Sequence, residues 1–496
     1  MTAYVAVDLG ATSGRVVVGR LRDGRFDLTE VHRFANEPRG TERARVWDVE
    51  ALFGGTVIGL RRAAEACSAE GIGGVGVTAW GVDVGLLDAQ DRLLAPVQHY
   101  RAADPDGGRP LLDRLGAQEL YTRTGVLPQS INTAFRIREI VDRAGPAAAQ
   151  DGVTALLIPD LWCALMTGDR GAERSIASTT SLVSLRTGSW DTGLLDEVGV
   201  DRSLLPPVVE NRQVAGGLRP DLAGRIGAGE CWPFVRVASH DTASAVAAVS
   251  GPPRTAFLSS GTWSLLGIER QAPILSGEAL AAGFTNEAGL GTSTLFMRNL
   301  TGLWLLEQAV RQWRAQGLAV TVPGLVEEAT AVGPTMAAFD VTAPELVTTD
   351  DVLGAVRKLC AVAGMAAPST PGEVARCILQ SLALTYRRTI ELCEELTGEP
   401  VDAVRMIGGG SQNALLRRLT ADACARPLRF GPVEGTSLGS VATQALTVGE
   451  LSDEEQAHEV LAGSATVGAL DPSTADADRR YWPDLDRIVP RPWSGT

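Results

Sequence analysis

A turn near the start of the chain combines the residue types that bind phosphate groups. Residues 10–14 (GATSG) contain two glycines, which let a ligand approach the backbone, and two hydroxyl side chains, which can donate hydrogen bonds. Asp8 ends the apolar run before this turn and is placed to hold a hydrated Mg²⁺ ion. Taken alone, the segment is equally compatible with a solvated hairpin that binds nothing.

A second turn of similar composition lies near the middle of the chain. Residues 259–262 (SSGT) again connect two apolar runs. If the two turns face each other across a cleft, they offer backbone amides and hydroxyls to both sides of a polyphosphate. The pair therefore favours a nucleotide site more strongly than either turn does alone.

Asp241 is the candidate for proton transfer. It lies in residues 239–242 (SHDT), between a predicted strand and an Ala- and Val-rich helix. In a phosphotransferase, a carboxylate accepts the proton of the attacking hydroxyl, whereas an aspartate at a helix start can simply cap the helix. The two roles are compatible, because a helix N-terminus favours the charged carboxylate.

Three further motifs are less specific. Residues 408–411 (GGGS) could admit a flat ring against bare backbone or form an ordinary strand-to-helix turn. Residues 80–83 (WGVD) could line a polar pocket or supply a core tryptophan and a turn aspartate. Residues 71–76 (GIGGVG) match a dinucleotide-binding pattern, but a helix precedes them and a strand follows, so we predict a helix-ending turn there.

The elements that position these motifs follow a pattern that occurs twice. Apolar runs flank the first turn, a third run covers 27–34, and a helix is predicted from about 48 to 69. The strand–turn–strand pattern recurs at 255–267. We infer two halves with a related nucleus and a boundary near 245–254.

The charge and the lysine content exclude several classes of function. The 496 residues carry a net charge of −14, from 45 basic and 59 acidic side chains, which argues against nucleic acid or an anionic membrane as the main partner. The single lysine, Lys358, fits neither a Walker A loop nor the strand lysine of a protein kinase.

Cysteine usage and hydropathy bear on the compartment. The seven cysteines form no Cys-x-x-Cys pair, the four histidines form no spaced metal cluster, and no run of ~18 apolar residues could span a membrane. Asp8 interrupts the N-terminal apolar run, and no basic segment precedes it. We therefore expect a cytoplasmic protein without a signal peptide.

Six motifs, taken in order, resemble those of the FGGY carbohydrate kinases, and within them the branch that acts on L-rhamnulose. They are 7–15 (VDLGATSGR), 78–83 (TAWGVD), 238–245 (ASHDTASA), 258–265 (LSSGTWSL), 298–306 (RNLTGLWLL) and 407–413 (IGGGSQN). The motifs span nearly the whole chain, and the SHDTAS run is typical of that branch. Two positions depart from the pattern: Glu307 stands where the branch has glutamine, and Ala102 where the family often has aspartate.

The resemblance implies an α/β, actin-like fold of two ribonuclease-H-like domains with a cleft between them. The implied division is a sugar- and phosphate-binding domain at 1–245, a nucleotide-binding domain at 246–465 and a peripheral tail at 466–496. The implied activity is transfer of a phosphoryl group from MgATP to the 1-hydroxyl of L-rhamnulose, in rhamnose catabolism.

The same resemblance implies residue roles, with Asp241 as the general base and Asp8 near the metal. The residues implied to contact the sugar are Trp80, Gly81, Asp83, His240, Thr242 and Asn299. The residues implied to bind ATP are Ala11, Thr12, Ser13, Gly14, Arg15, Gly261, Thr262, Glu307, Gly409, Gly410 and Asn413.

Three alternatives stay open at this point. The substrate could be another ketose, such as L-fuculose or a pentulose. The protein could bind nucleotide and sugar as a sensor without turnover, or it could form actin-like filaments. Only small-molecule partners are expected, and the sequence leaves the oligomeric state open.

Overall fold

The computed structural model describes residues 2–41, 44–249, 254–333, 335, 337–346, 349, 351–464, 468–473 and 485–492. Its strands are β1 (Thr2–Leu9), β2 (Ser13–Arg22), β3 (Arg25–Ala35), β4 (Gly71–Ala79), β5 (Val84–Leu87), β6 (Thr154–Leu157), β7 (Ala172–Glu173), β8 (Val183–Ser184), β9 (Ser189–Trp190), β10 (Val208–Val209), β11 (Gln213–Gly217), β12 (Pro233–Arg236), β13 (Thr255–Ser260), β14 (Trp263–Arg270), β15 (Thr285–Ala288), β16 (Thr294–Thr301), β17 (Ala403–Ile407), β18 (Leu428–Phe430) and β19 (Gly468–Leu470). We call 2–249 the N-terminal half and 254–492 the C-terminal half.

The α-helices are α1 (Val49–Ala66), α2 (Arg109–Leu115), α3 (Ala117–Thr124), α4 (Thr133–Ala144), α5 (Ile158–Thr167), α6 (Arg174–Ser178), α7 (Thr192–Val198), α8 (Pro220–Ile226), α9 (Asp241–Ala247), α10 (Gly277–Ala281), α11 (Trp304–Ala315), α12 (Val322–Val332), α13 (Val352–Val362), α14 (Pro371–Thr397), α15 (Ala414–Cys424), α16 (Gly435–Thr447), α17 (Glu454–Ser464) and α18 (Leu485–Ile488). None of the helices in the described ranges is both long and apolar enough to cross a bilayer.

The main sheet of the N-terminal half has the strand order β11-β12-β4-β1-β2-β3. Strands β1, β2 and β3 form an antiparallel meander, and β4 runs parallel to β1 and to β12. Strand β1 is apolar on both faces: Val5 and Val7 pack in the same cluster as α1, whereas Tyr4 and Ala6 pack in the cluster that contains α16. The sheet is therefore covered on both sides, which explains the unbroken hydrophobic run in the sequence.

The main sheet of the C-terminal half repeats this arrangement. Its order is β15-β16-β14-β13-β17-β18-β19, with β13, β14 and β16 antiparallel and β17 and β18 continuing in parallel from β13. The long helix α14 begins with a capping box between Thr370 and Glu373 and packs against β14. Each half thus has the same nucleus of an antiparallel meander followed by parallel strands.

Helices α9 and α16 cross between the two sheets. Although α9 belongs to the N-terminal half, its Ala243 and Val246 pack against Phe257 of the C-terminal sheet, while α16 covers the N-terminal sheet. The two helices are in close contact at Gly439 of α16 and Ser244 of α9. A Cβ at Gly439 would lie only 1.9 Å from the backbone oxygen of Ser244, so this position has no room for a side chain. This crossing fixes the position of the loop that begins α9.

The glycine-rich residues 71–76 lie inside strand β4 and not in a turn, so that prediction was wrong. Side chains are absent here because neighbouring elements approach closely. A Cβ at Gly74 would lie 2.9 Å from the Gln444 amide oxygen, and one at Gly76 would lie 2.9 Å from the Ser440 hydroxyl, both on α16. The partner helix is more than 350 residues away in sequence, so no local pattern indicates it.

The predicted domain boundaries differ from the boundaries of the structural elements at two places. The limit at residue 245 falls inside α9, and 250–253 lie outside the described residues. Parts of the predicted tail also lie outside them, but β19 pairs with β18, and Ile488 and Val489 are buried against Leu384. These described tail residues are integral to the C-terminal half and not peripheral to it.

Candidate active site between the two halves

Asp241 lies at the first position of α9, directly after the loop that follows β12. The Ala79 N–H donates to the Ser239 oxygen at 2.9 Å, which ties this loop to the end of β4. The Asp241 carboxylate is one-third exposed and accepts a hydrogen bond from the Thr242 hydroxyl at 3.2 Å. Residue His240, not Asp241, occupies the capping position, so the carboxylate is available for chemistry.

The carboxyl groups of Asp8 and Asp241 both lie in partly desolvated surroundings. Burial raises the pKa of Asp241, an effect that His240 and the Thr242 backbone oppose. Burial also raises the pKa of Asp8, and the nearby charge of Asp241 raises it further. The two carboxylates are therefore close enough to repel each other.

Arg15 links Asp8 to the opposite half of the molecule. The two residues face each other on β1 and β2, with Arg15 Nε 2.8 Å and Nη2 2.7 Å from Asp8 Oδ2. The remaining nitrogen, Nη1, pairs with Glu434, immediately before α16. The guanidinium that was predicted to bind phosphate is thus shared between carboxylates of the two halves.

The first glycine-rich turn is shaped by Asn36. This side chain donates to the Gly10 oxygen at 2.8 Å, and the Asn36 N–H donates to the Thr12 oxygen at 3.1 Å. Ala11 and Thr12 are exposed, and Ser13 is half-buried. Gly14 is packed under Phe34, whose ring carbons would lie 2.3 Å from a Cβ.

The second turn is fixed against the start of α11. The Gly261 oxygen accepts a hydrogen bond from the Leu303 N–H at 2.9 Å, and the Thr262 oxygen accepts one from the Trp304 N–H at 3.2 Å. Glu307 lies in the first turn of this helix, where burial raises the pKa of its carboxyl and Arg311 opposes the rise. The second turn and Glu307, the residue that differs from the family motif, therefore belong to one local unit.

The loop at 408–413 passes close to the second turn. Gly408 has a φ of +79°, and a Cβ at Gly410 would lie 2.1 Å from the Ser260 hydroxyl. Gly409, in contrast, has open space around its Cβ position. The side-chain oxygen of Asn413 accepts from the Leu416 N–H at 3.0 Å and caps α15, so this oxygen is engaged within the protein.

A cavity of about 340 Å³ lies between the halves. It has the size of a small-ligand site. Its lining residues are Arg15, Arg33, Ala245, Ser259, Ile407, Gly408, Gly409, Val433, Glu434, Gly435 and Thr436. The structure thus brings the first turn, the second turn and the glycine loop to one space, through Arg15, Ser259 and Gly409.

The segment at 80–83 is largely buried, with Trp80 in the core cluster that contains α1, and it offers no free carboxylate. Asp83 is fully buried, pairs with Arg136 at 2.7 Å, and accepts from the indole N–H groups of Trp47 and Trp80 at 2.6 and 3.0 Å. This geometry does not support the predicted sugar contact of Asp83, which instead orients Trp80. At Gly81, a Cβ would lie 2.8 Å from the Thr179 hydroxyl.

His240 contacts two carboxylates. Its Nε2 lies 3.4 Å from Asp241 Oδ1, and its Nδ1 lies 3.0 Å from Glu287 Oε2 on β15. Burial opposes a charge on the ring, but Glu287, then Asp241 and Glu173, raise the pKa of His240 to about 9. Asn299, another predicted sugar contact, is exposed on β16 opposite Leu265.

Glu173 supports the loop that carries His240 and Asp241. Its Oε2 accepts from the Ser239 N–H at 3.0 Å and the Ser239 hydroxyl at 2.5 Å. It also accepts from the Ser175 hydroxyl, which in turn accepts from the His240 N–H at 3.1 Å. This buried carboxylate therefore orients the loop at 239–241 through hydrogen bonds.

Sequence reasoning missed Glu173, Glu287, Glu434 and Arg33. The three glutamates have roles that depend on partners distant in sequence, such as His240 for Glu287 or Arg15 for Glu434. Arg33 lines the cavity and pairs with Glu30, three residues earlier on β3. No local pattern in the sequence marks these four residues.

Comparisons with known proteins agree with this architecture. Residues 3–248 match the model of the N-terminal domain of the FGGY family of carbohydrate kinases, and residues 256–448 match that of the C-terminal domain. The chain belongs to the FGGY family of carbohydrate kinases. As a member of this family it is a sugar phosphotransferase, whose substrates are a sugar and the phosphoryl donor ATP.

Relatives within the FGGY family cover nearly the whole chain. A rhamnulokinase from Bacteroides thetaiotaomicron is 34% identical over 471 residues, which cover 95% of this chain and 96% of that protein. A rhamnulokinase from Klebsiella pneumoniae is 35% identical over 483 residues, which cover 96% of each chain.

Solved structures of FGGY kinases confirm the predicted actin-like α/β fold. A xylulose kinase from Rhodospirillum rubrum superimposes with a TM-score of 0.78 at 17% identity, covering 97% of this chain and 96% of that one. A ligand-bound xylulose kinase from Lactobacillus acidophilus gives a TM-score of 0.79 at 15% identity, with the same coverage. At these identities the likeness shows the fold alone.

Proposed function

We propose that this FGGY kinase transfers the γ-phosphoryl group of ATP to the 1-hydroxyl of L-rhamnulose. The observation that carries the proposal is the position of Asp241, which begins α9 where the two halves meet. The choice of sugar is supported by the rhamnulokinases that are 34–35% identical over at least 95% of this chain.

The proposed chemistry needs one proton transfer and one phosphoryl transfer. The Asp241 carboxylate accepts the proton of the sugar hydroxyl as its oxygen attacks the γ-phosphorus in line, and the bond to the β-phosphate oxygen breaks. ADP leaves with its charge, and the proton passes from Asp241 to water. His240, Gly81 and Asn299 hold the sugar in this proposal.

The nucleotide would occupy the cavity between the halves. Gly409 leaves open space for the adenosine, the backbone of Gly410 lies beside it against Ser260, and Thr262 approaches the γ-phosphate. Arg15 and the first turn hold the phosphates, which requires the guanidinium to exchange a carboxylate partner for phosphate oxygens. Closure of the halves would exclude water and align the reacting groups.

The residues present are compatible with a Mg²⁺ ion that arrives with the nucleotide. The described residues hold no cluster of three or more His, Cys, Asp or Glu side chains suited to a metal. Mg²⁺ commonly needs only one or two carboxylates beside phosphates and water, and Asp8 supplies a buried carboxylate directly before the first glycine-rich turn. Asp8 would hold the ion, which neutralises phosphate charge when bound.

The proposal is tested by a panel of ketoses with coupled detection of ADP. L-Rhamnulose, L-fuculose, L-ribulose and D-xylulose are compared by kcat/KM, with Asp241→Asn as the background control. We expect L-rhamnulose to exceed each pentulose by ~10-fold or more, since the loss of one methyl group from a fitted pocket costs about 1–3 kcal/mol. A higher kcat/KM for any other ketose would assign the enzyme to that sugar instead.

A further inference from the structure

Glu287 reaches the catalytic loop from the other half of the molecule. It lies on β15, the edge strand of the C-terminal sheet, and its side chain is only 12% exposed. Its Oε2 is 3.0 Å from Nδ1 of His240 in the N-terminal half, and the opposite ring nitrogen faces Asp241. The imidazole therefore bridges the proposed general base and a carboxylate to which no role has been assigned.

Strand β15 is anchored independently of this contact. The Leu127 N–H donates to the Thr285 hydroxyl at 3.2 Å, and the Asn286 amide donates to the Gly125 oxygen at 3.0 Å. On the other side of Glu287, the Ala288 N–H donates to the Ser178 hydroxyl at 2.9 Å. Because both flanks are hydrogen-bonded to the N-terminal half, the Glu287 carboxylate is held in place rather than drawn there by His240.

The groups that face the His240 ring favour its charged form. They are Glu287 from β15, Asp241 from α9 and Glu173 from β7, and together they raise the pKa of His240 to about 9 against the effect of burial. Glu287 makes the largest favourable contribution. At neutral pH both ring nitrogens therefore carry protons, and the imidazolium faces Asp241.

We propose that Glu287 is a positioning residue for the phosphoryl transfer proposed above. Its carboxylate fixes the His240 imidazolium with Nε2–H directed toward Asp241 and the sugar site, and this positive charge keeps Asp241 ionised as a base. The inference rests on the proposed function only for its kinetic consequence. The state of the imidazole itself is a property of the free protein.

Replacing Glu287 changes the pH range over which His240 is charged. In Glu287→Gln, loss of the carboxylate lowers the pKa of His240, because Glu287 makes the largest contribution that favours the charged ring. At acidic pH the ring is still charged in the variant, so the pKa of Asp241 loses only the small contribution by which Glu287 raises it. The effect of the substitution on activity is therefore expected on the alkaline side, where the imidazolium is lost at a lower pH.

The test combines NMR and kinetics on the full chain. The four histidines give few imidazole signals, so that of His240 can be followed through a pH titration in wild type, Glu287→Gln and the exposed control Glu269→Gln. We expect His240 to stay charged to at least pH 8 in wild type and in the control, and to lose its proton ~1 unit or more lower in Glu287→Gln. The alkaline limb of kcat/KM for the ketose should move to lower pH in Glu287→Gln, following the His240 titration, with KM for ATP changed less than ~2-fold.

Two results would overturn the proposal. One is a neutral His240 in wild type at pH 7, which needs no variant. The other is the same His240 titration and the same kcat/KM profile in Glu287→Gln as in Glu269→Gln. If Glu287→Gln does not fold, Glu287→Asp retains the charge at a longer distance and should shift both readouts part of the way. An absence of turnover on every ketose would contradict the proposed function while leaving the NMR result decisive for Glu287.

Discussion

The charged residues of the candidate site differ in their ion-pair partners and in their exposure to solvent. Asp8 is bound by Arg15, whereas the Asp241 carboxylate is one-third exposed and lies beside His240. A general base must be accessible to the hydroxyl that it deprotonates, and Asp241 meets this condition.

Asp241→Asn removes the proton acceptor and keeps the size of the side chain. We expect kcat to fall by at least ~10², the usual scale for loss of a general base. Binding of a non-hydrolysable ATP analogue, measured by calorimetry, should stay within ~2-fold of wild type. The exposed Asp106→Asn serves as the matched control, and near-normal turnover in Asp241→Asn would remove Asp241 from its role.

On the alkaline side, kcat/KM should fall as the pH passes the pKa of His240, which is about 9. The pKa of His240 is raised, so the ring is charged below that value and loses its proton as the pH rises through it. His99 does not complicate the assignment, because burial and nearby arginines lower its pKa to about 3. Initial rates from pH 6 to 10 provide the measurement, and a profile that stays flat to pH 10 would contradict a requirement for the imidazolium.

At the scale of elements, loops at the ends of strands form the site. Two glycines in the 408–410 loop differ in what surrounds them. Gly410 packs on buried Ser260, whereas Gly409 faces open space. Packing and ligand access can therefore be separated by substitution within one loop.

Gly410→Ala should destabilise the fold, since its Cβ would lie 2.1 Å from the Ser260 hydroxyl. Overpacking of this kind costs about 1–3 kcal/mol. Gly409→Ala should leave Tm unchanged but weaken ATP binding, because its Cβ extends into the cavity. Calorimetric Tm and nucleotide Kd of both variants decide the matter. Equal effects of the two alanines on Tm and Kd would argue against this separation.

Elements with local signals were predictable, and those defined by distant partners were not. The hairpin of β1 and β2, strand β3 and helix α1 follow directly from apolar periodicity and a glycine-hydroxyl turn. The prediction of a turn at 71–76 was wrong because Gly74 and Gly76 are required by close packing against α16, which lies far away in sequence. In the candidate site, the sequence pattern singled out Asp241 and the family resemblance added His240, and the roles of both stay predictions. Asp83 is bonded to Arg136 in a way that spacing alone does not reveal.

At the scale of the whole molecule, each half supplies part of the other's site. Helix α9 packs on the C-terminal sheet, α16 packs on the N-terminal sheet, and Glu287 and Glu434 reach across to His240 and Arg15. Contacts of this kind depend on the assembled fold, which explains why both glutamates escaped sequence reasoning. In the proposed function, the Arg15–Glu434 pair would couple nucleotide binding to the relation between the halves.

Glu434→Gln should tighten nucleotide binding. The Glu434 carboxylate competes with phosphate oxygens for Arg15 and adds negative charge to the cavity. A partly exposed ion pair contributes about 0.2–1 kcal/mol, so we expect the Kd of an ATP analogue to fall roughly 1.4- to 5-fold. Calorimetry of this variant beside the exposed Glu455→Gln is the measurement, and weaker binding in Glu434→Gln would show that Glu434 assists the nucleotide.

The central claim is that both halves bring ATP and a ketose together over Asp241. Proton-coupled ³¹P NMR of a reaction with equimolar ATP and L-rhamnulose tests it most directly. We predict ADP and a new phosphomonoester triplet, because the 1-hydroxyl is attached to a CH₂ group, and no such signal with Asp241→Asn. Formation of orthophosphate instead of a sugar phosphate, or no consumption of ATP, would contradict the account.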